Sequence, residues 1–143
     1  MAVNNPRPDR RAAHLPLRQP RFARPTNRVE AVVHFHRVCL GLEAPYRVED
    51  HAGHDRVMLG LFGRSYHLER THRAGINGTA TTTENPLVLP LGTASAPARV
   101  VARFTDSGYQ PAEAENPRSA AQAAVTFDDP DGWHLVLVPG PGL

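Results

Sequence analysis

The chain repeats itself, and no other feature constrains its fold as strongly. Shifting the 143-residue sequence by 65 positions lays RFARP (21–25) on PLVLP (86–90), with Arg21 on Pro86, Ala23 on Val88 and Pro25 on Pro90. An apolar-striped helix follows each segment. After RFARPT, Asn27 is placed to cap a helix with Glu30 three residues on. Val29, Val32, Val33, Phe35, His36 and Cys39 then recur at helical spacing up to Leu40-Gly41. After PLVLPL, Val100, Val101 and Phe104 mark a helix from near Ser95, with Pro97 in its first turn and Gly108 at its end.

In the first half, YRVED (46–50), DRVMLGL (55–61) and SYHLERT (65–71) read as strands, parted by the turn-like HAGH and FGR. In the second half the pattern predicts a short strand near Tyr109, then AAVTF (123–127), the turn DDPDG and WHLVLV (133–138). Each half therefore reads β-α-β-β-β. One such unit cannot bury both faces of its sheet, so two should combine into a single α+β domain whose curved mixed sheet encloses a cavity.

Composition sets the limits around that domain. The length suits one domain and is short for two. All sixteen basic residues are arginine; residues 1–28 hold seven of them against Asp9 alone, a net +6, and the remainder is net −4. The Arg/Pro-rich segment 1–19 has no apolar period and is expected to be a disordered tail. A nucleic-acid role for that arm is disfavoured, because no aromatic is interleaved for stacking. The expected organisation is the tail 1–19 followed by the domain 20–139: module one 20–72, a polar linker 73–85, and module two 86–139. No apolar run is long enough for a membrane span and no secretory signal is evident, so the expected location is the cytoplasm. A single cysteine, Cys39, agrees with a reducing compartment.

Two β-α-β-β-β modules, with RFARPTNRVEAVVHFHRVCLGLE opening the first and VTFDDPDGWHLVLV closing the second, resemble the vicinal oxygen chelate superfamily. That group holds glyoxalase I, bleomycin-resistance, fosfomycin-resistance and extradiol dioxygenase proteins. The resemblance spans roughly residues 20 to 139. It implies metal ligands on the first and last strands of each module, which by position fall on Arg21, Glu69, Pro86 (or Leu87) and Val136. Only Glu69 can ligate, whereas a catalytic divalent site ordinarily needs about three protein ligands. The resemblance therefore implies a member without a resident metal or other cofactor.

Two-residue strand periodicity places His67 with Glu69, and His134 with Val136, on the cavity side, where Met58 is expected too. An Arg21–Glu69 ion pair, buried in the wall, would fill the space a cation takes in relatives. Arg118, in the loop ENPRSAAQA, is a candidate for an anionic ligand. The expected ligand-binding set is thus Arg21, Met58, His67, Glu69, Arg118, His134 and Val136, and the expected partner is a small organic molecule bound by a homodimer. The alternative is a lyase or dioxygenase whose divalent metal is held by a rearranged His67, Glu69 and His134. Strand histidines more commonly pack or hydrogen-bond than ligate, which weighs against it. His34 and His36 lie two apart and must face different ways on a helix, and His51 and His54 flank a turn and should be exposed.

Overall fold

The computed structural model describes residues 20–60, 67–93, 95–113 and 121–140. Strand β1 (Arg21–Pro25) leads into helix α1 (Val29–His34), which widens into a π-helical turn over Phe35–Cys39. Strands β2 (Glu43–His51), β3 (His54–Gly60) and β4 (His67–Arg73) complete the first module. The second holds β5 (Leu87–Pro90), α2 (Ala96–Asp106), β6 (Val125–Asp128) and β7 (His134–Val138). The result is α+β, with two curved mixed sheets of order β1-β4-β3-β2 and β5-β7-β6. In each, the module's first strand runs parallel to its last.

The repeat survives in the register. Ala23 faces Glu69 across β1–β4, and its shifted counterpart Val88 faces Val136 across β5–β7. The expected strand near Tyr109 does not form, and that part of the prediction is corrected: among the described residues the segment offers only a lone bridge, Ala112 to Thr126. The Tyr109 N–H is instead spent on Phe104 O at the end of α2, and its ring packs on Phe35 and Phe104.

The core joins the two halves. Phe35 and Cys39 of the first module cluster with Phe104, Phe127, Leu135 and Leu137 of the second, all at most 2% exposed. Phe35 meets Phe104 edge-on at 5.0 Å, and Phe104 stacks on Phe127 at 4.4 Å. Such pairs add about 0.5–1.5 kcal/mol each beyond area burial. A second cluster, Val33, Val57, Leu59 and Leu68, lies between α1 and the first sheet. Gly41, at φ +75°, ends the helical stretch as the glycine stop predicts.

Asn27 does not cap α1, which corrects the capping expectation. Its amide instead reaches the segment predicted as a linker: Nδ2 donates to Ile76 O at 2.8 Å, and Oδ1 accepts the Gly78 N–H at 2.8 Å. Thr26 Oγ1 accepts the Arg28 N–H in its place. The close approach is possible only because residue 78 is glycine; a Cβ there would lie 2.4 Å from Thr26 Cα and 2.6 Å from Pro25 O, both backbone atoms. Trp133 Nε1 donates to Gly78 O at 3.3 Å, so this one residue ties β1, the connector and the β6–β7 turn together. Gly78→Ala is expected to cost about 2 kcal/mol or more in denaturant unfolding, because two backbones must part. A loss under about 0.5 kcal/mol would show that the connector yields freely.

Candidate functional site

Alternation along the first sheet turns Val57, Leu59 and Leu68 inward to the helix and leaves the opposite face open. On that open face the register sets Glu69 beside Met58 and Ala23, Thr71 beside Arg56, and His67 beside Arg21. His67 and Glu69 thus share one sheet face, as their spacing predicts, and the β3–β4 register adds Met58 to it. The Glu69 carboxylate is buried, its side chain 8% exposed, yet two guanidiniums reach it: Arg21 Nη1 lies 3.3 Å from Oε2 and Arg56 Nη1 lies 3.7 Å from Oε1. The Arg21–Glu69 pair forms, but not as the buried pair expected, because Arg21 is 47% exposed. It stands on the edge strand, where its long side chain meets water. Arg21→Met is accordingly expected to cost about 1 kcal/mol, well short of the 3–5 of a buried pair, since Arg56 still faces the carboxylate. A loss above about 3 kcal/mol in thermal or denaturant unfolding would contradict this. Arg56 went unnoticed in the sequence, although it stands two residues before Met58 on the same strand face.

A cleft of about 310 Å³ opens beside this carboxylate, lined by Val48, His51, Ala52, His54, Asp55, Arg56, Glu69 and Thr71. His51 and His54 are exposed on its rim, as expected of a hairpin. Asp50 and Ala52 in that hairpin hold φ of +46° and +54°, uncommon for residues with a Cβ.

On the second sheet, His134 is buried and its Nε2 lies 3.0 Å from Asp128 Oδ1, its cross-strand neighbour. Val136 is buried between Val88 and Thr126. Among the described residues, the buried His67 Nε2 and Thr126 Oγ1 on the sheets have no hydrogen-bond partner. Among the described residues no group of three or more His, Cys, Asp or Glu side chains could hold a metal ion, so His67, Glu69 and His134 are not brought together as a ligand set. The positions at which the resemblance implies ligands carry Arg21, Glu69, Pro86 just ahead of β5 (or Leu87, its first residue), and Val136. One carboxylate facing two guanidiniums does not fit a divalent cation. Arg118 lies outside the described residues, as does the segment 1–19.

A buried polar network behind the wall was not anticipated. His36 is 2% exposed and Arg70 3% exposed. The Val32 carbonyl, 2.8 Å from His36 Nδ1, can only accept, so that nitrogen carries the proton and Nε2 accepts from Arg70 Nη2 at 3.3 Å. Insertion of this ring N–H at the Val32 carbonyl accompanies the widening of α1 into a π turn. Burial first, then the nearby Arg70 charge, pushes the His36 imidazole down to about 3. Burial and the Arg24 charge push the Arg70 guanidinium down to about 10, while Asp129 and Asp131 oppose that shift. Burial raises the Asp129 carboxyl although it accepts the Asp131 and Trp133 N–H groups. Arg24 stacks 4.4 Å over the Trp133 ring. These charges link β1, α1 and β4 of the first module to the β6–β7 turn of the second.

Models of the YycE-like N-terminal domain and the YycE-like C-terminal domain match residues 20–71 and 84–139. The chain is 34% identical over 128 residues to YycE of Bacillus subtilis (strain 168), covering 87% of this chain and 90% of that protein. A crystal structure of that YycE superposes with a TM-score of 0.79 at 32% identity, over 88% of this chain and 92% of the other. The fosfomycin resistance protein FosX of Mesorhizobium loti superposes at 0.63 with 12% identity, over 85% and 90% of the two chains. An antibiotic binding protein from a Streptomyces species superposes at 0.60 with 18% identity, over 85% and 93%. The paired modules, the parallel first and last strands and these matches lead to one conclusion: the chain belongs to the YycE-like family, within the vicinal oxygen chelate superfamily.

Proposed function

We propose that this protein binds a small organic molecule against the open face of its first sheet and uses no resident metal to do so. The observation that carries the reading is the Glu69 carboxylate held between Arg21 and Arg56 at the mouth of a 310 Å³ cleft. The guanidinium charge of Arg21 already stands where a chelating relative would need a cation. The cleft sets Val48 and Ala52 among polar and charged side chains that can fix the orientation of a small molecule. The likeness to an antibiotic binding protein, which is one of fold, agrees with a binding role. We extend the proposal to a cytoplasmic homodimer, which light scattering of the purified protein and fractionation of cells check directly.

The second reading is a metal-dependent lyase or dioxygenase using His67 and Glu69 of the first sheet, with His134, which stands on the second sheet, moving to join them. One observation favours it: the buried, unpartnered His67 Nε2 on the strand face that carries Glu69. Elemental analysis after growth and purification with added zinc, manganese, nickel and iron separates the two. The binding reading expects well under one equivalent of metal per chain, together with saturable thermal stabilisation by at least one compound in a panel of small organic molecules. One tightly held equivalent that is lost in Glu69→Gln would replace it with the enzyme reading.

A further inference from the structure

We propose that the molecule taken by the cleft is uncharged and rich in hydroxyls, a single sugar ring held by Glu69 and Arg56 and stacked on Tyr46; this rests on the binding reading above. Charge balance comes first. The lining holds the carboxylates of Glu69 and Asp55 and the guanidinium of Arg56. Arg21 stands outside the lining and pairs with Glu69 from the edge strand at 3.3 Å. With the histidines counted neutral, two charges of each sign leave nothing over, so neither an anion nor a cation gains a net attraction.

What the cleft offers is donors beside acceptors. Arg56 Nη1 lies 3.7 Å from Glu69 Oε1, longer than a hydrogen bond, so this ion pair leaves the guanidinium N–H groups free to donate. The carboxylate in turn keeps lone-pair capacity on both oxygens. A hydroxyl donates and accepts at once, so neighbouring hydroxyls on one ring can accept from Arg56 and donate to Glu69 together. An apolar platform stands beside them. The register sets Tyr46 opposite Met58 and Val48 opposite Arg56, which puts both β2 side chains on the open face, and Val48 lines the cleft. Tyr46 is left 53% exposed there. A sugar ring has an apolar C–H face and a polar rim; the face can lie flat on the tyrosine while the rim reaches the charged groups. The cleft volume of 310 Å³ sits at the low end of small-molecule sites, about 300–1,000 Å³, which suits one ring.

Equilibrium dialysis of the full chain against para-nitrophenyl compounds, at about pH 8 where imidazole is ordinarily neutral, tests this. The set is the glucoside, galactoside and mannoside; the glucuronide, which adds a carboxylate; and para-nitroanisole, which keeps the aromatic ring without hydroxyls. At least one neutral glycoside is expected to bind about tenfold or more tightly than para-nitroanisole and no more weakly than the glucuronide. About 0.5 M salt should leave that affinity within about twofold. Tyr46→Ala and Arg56→Gln should each weaken the glycoside about fivefold or more and leave para-nitroanisole within about twofold. Glycosides that bind no better than para-nitroanisole, a salt-sensitive preference for the glucuronide, or affinity unchanged in both variants each overturns the sugar inference. The binding reading is judged apart, by the thermal panel above: stabilisation there by some other compound leaves it standing, and stabilisation by none removes both.

Discussion

Arg70→Met is expected to lower folding stability by about 3 kcal/mol, the lower end of the range for stranding a buried charge. Arg70 donates to Glu69 O at 3.1 Å and to His36 Nε2 at 3.3 Å, and its charge offsets those of Asp129 and Asp131 in a water-poor setting. Methionine fills the space but leaves His36 Nε2 without its donor and removes that countercharge. Arg24 also acts on Asp129, which keeps the loss from reaching the top of the range. Arg70→Lys should recover part of the loss, because it restores the charge without the fork. Denaturant midpoints at unchanged m-value measure both variants. A loss for Arg70→Met below about 1 kcal/mol would mean that water already reaches the network.

Stability should also fall as the solution is acidified, well before the carboxylates are fully protonated. His36 is neutral in the fold, held down to about 3, whereas in the unfolded chain it titrates near its ordinary 6.5. Its contribution is therefore complete above about pH 6.5 and drains away as pH falls toward 3. Each unit in that window costs about 1.4 kcal/mol, so about 2 kcal/mol is gone by pH 5. Asp129 acts in the opposite sense: its raised carboxyl favours the fold as pH falls. His36→Asn, which does not titrate, isolates the imidazole. Its unfolding free energy should lack this slope between pH 7 and 5, while the unmodified protein shows it. Parallel slopes for the two proteins would remove His36 as the cause.

The shared strand face was legible because strands write their facing into a two-residue period. His67 and Glu69 share a face for that reason, and Arg56 beside Met58 was open to the same reasoning. The buried network was not. Arg70 follows Glu69 in HLERT, and nothing local says that a guanidinium on the core side will find His36 from α1 and Asp129 and Asp131 from a turn about sixty residues on. Those two aspartates read as turn formers, which they are, since Asp129 Oδ1 accepts the Asp131 and Trp133 N–H groups. Their second task, facing a buried arginine, depends on where the other module stands. Asn27 is the same kind of case: a good local cap was outbid by Ile76 and Gly78, some fifty residues away.

By itself the sequence determined the paired-module plan, the helices and most strands, and which residues share a strand face. These follow from periodicity, glycine stops and a repeat of 65 positions, all of which act over a few neighbours. Only the tertiary structure decided that Arg21 reaches solvent while Glu69 does not, that Arg56 joins them, and that His36, Arg70 and Asp129 meet in the interior. Burial and charge pairing are set by contacts between distant segments, and those contacts exist only once both modules have closed on a common core.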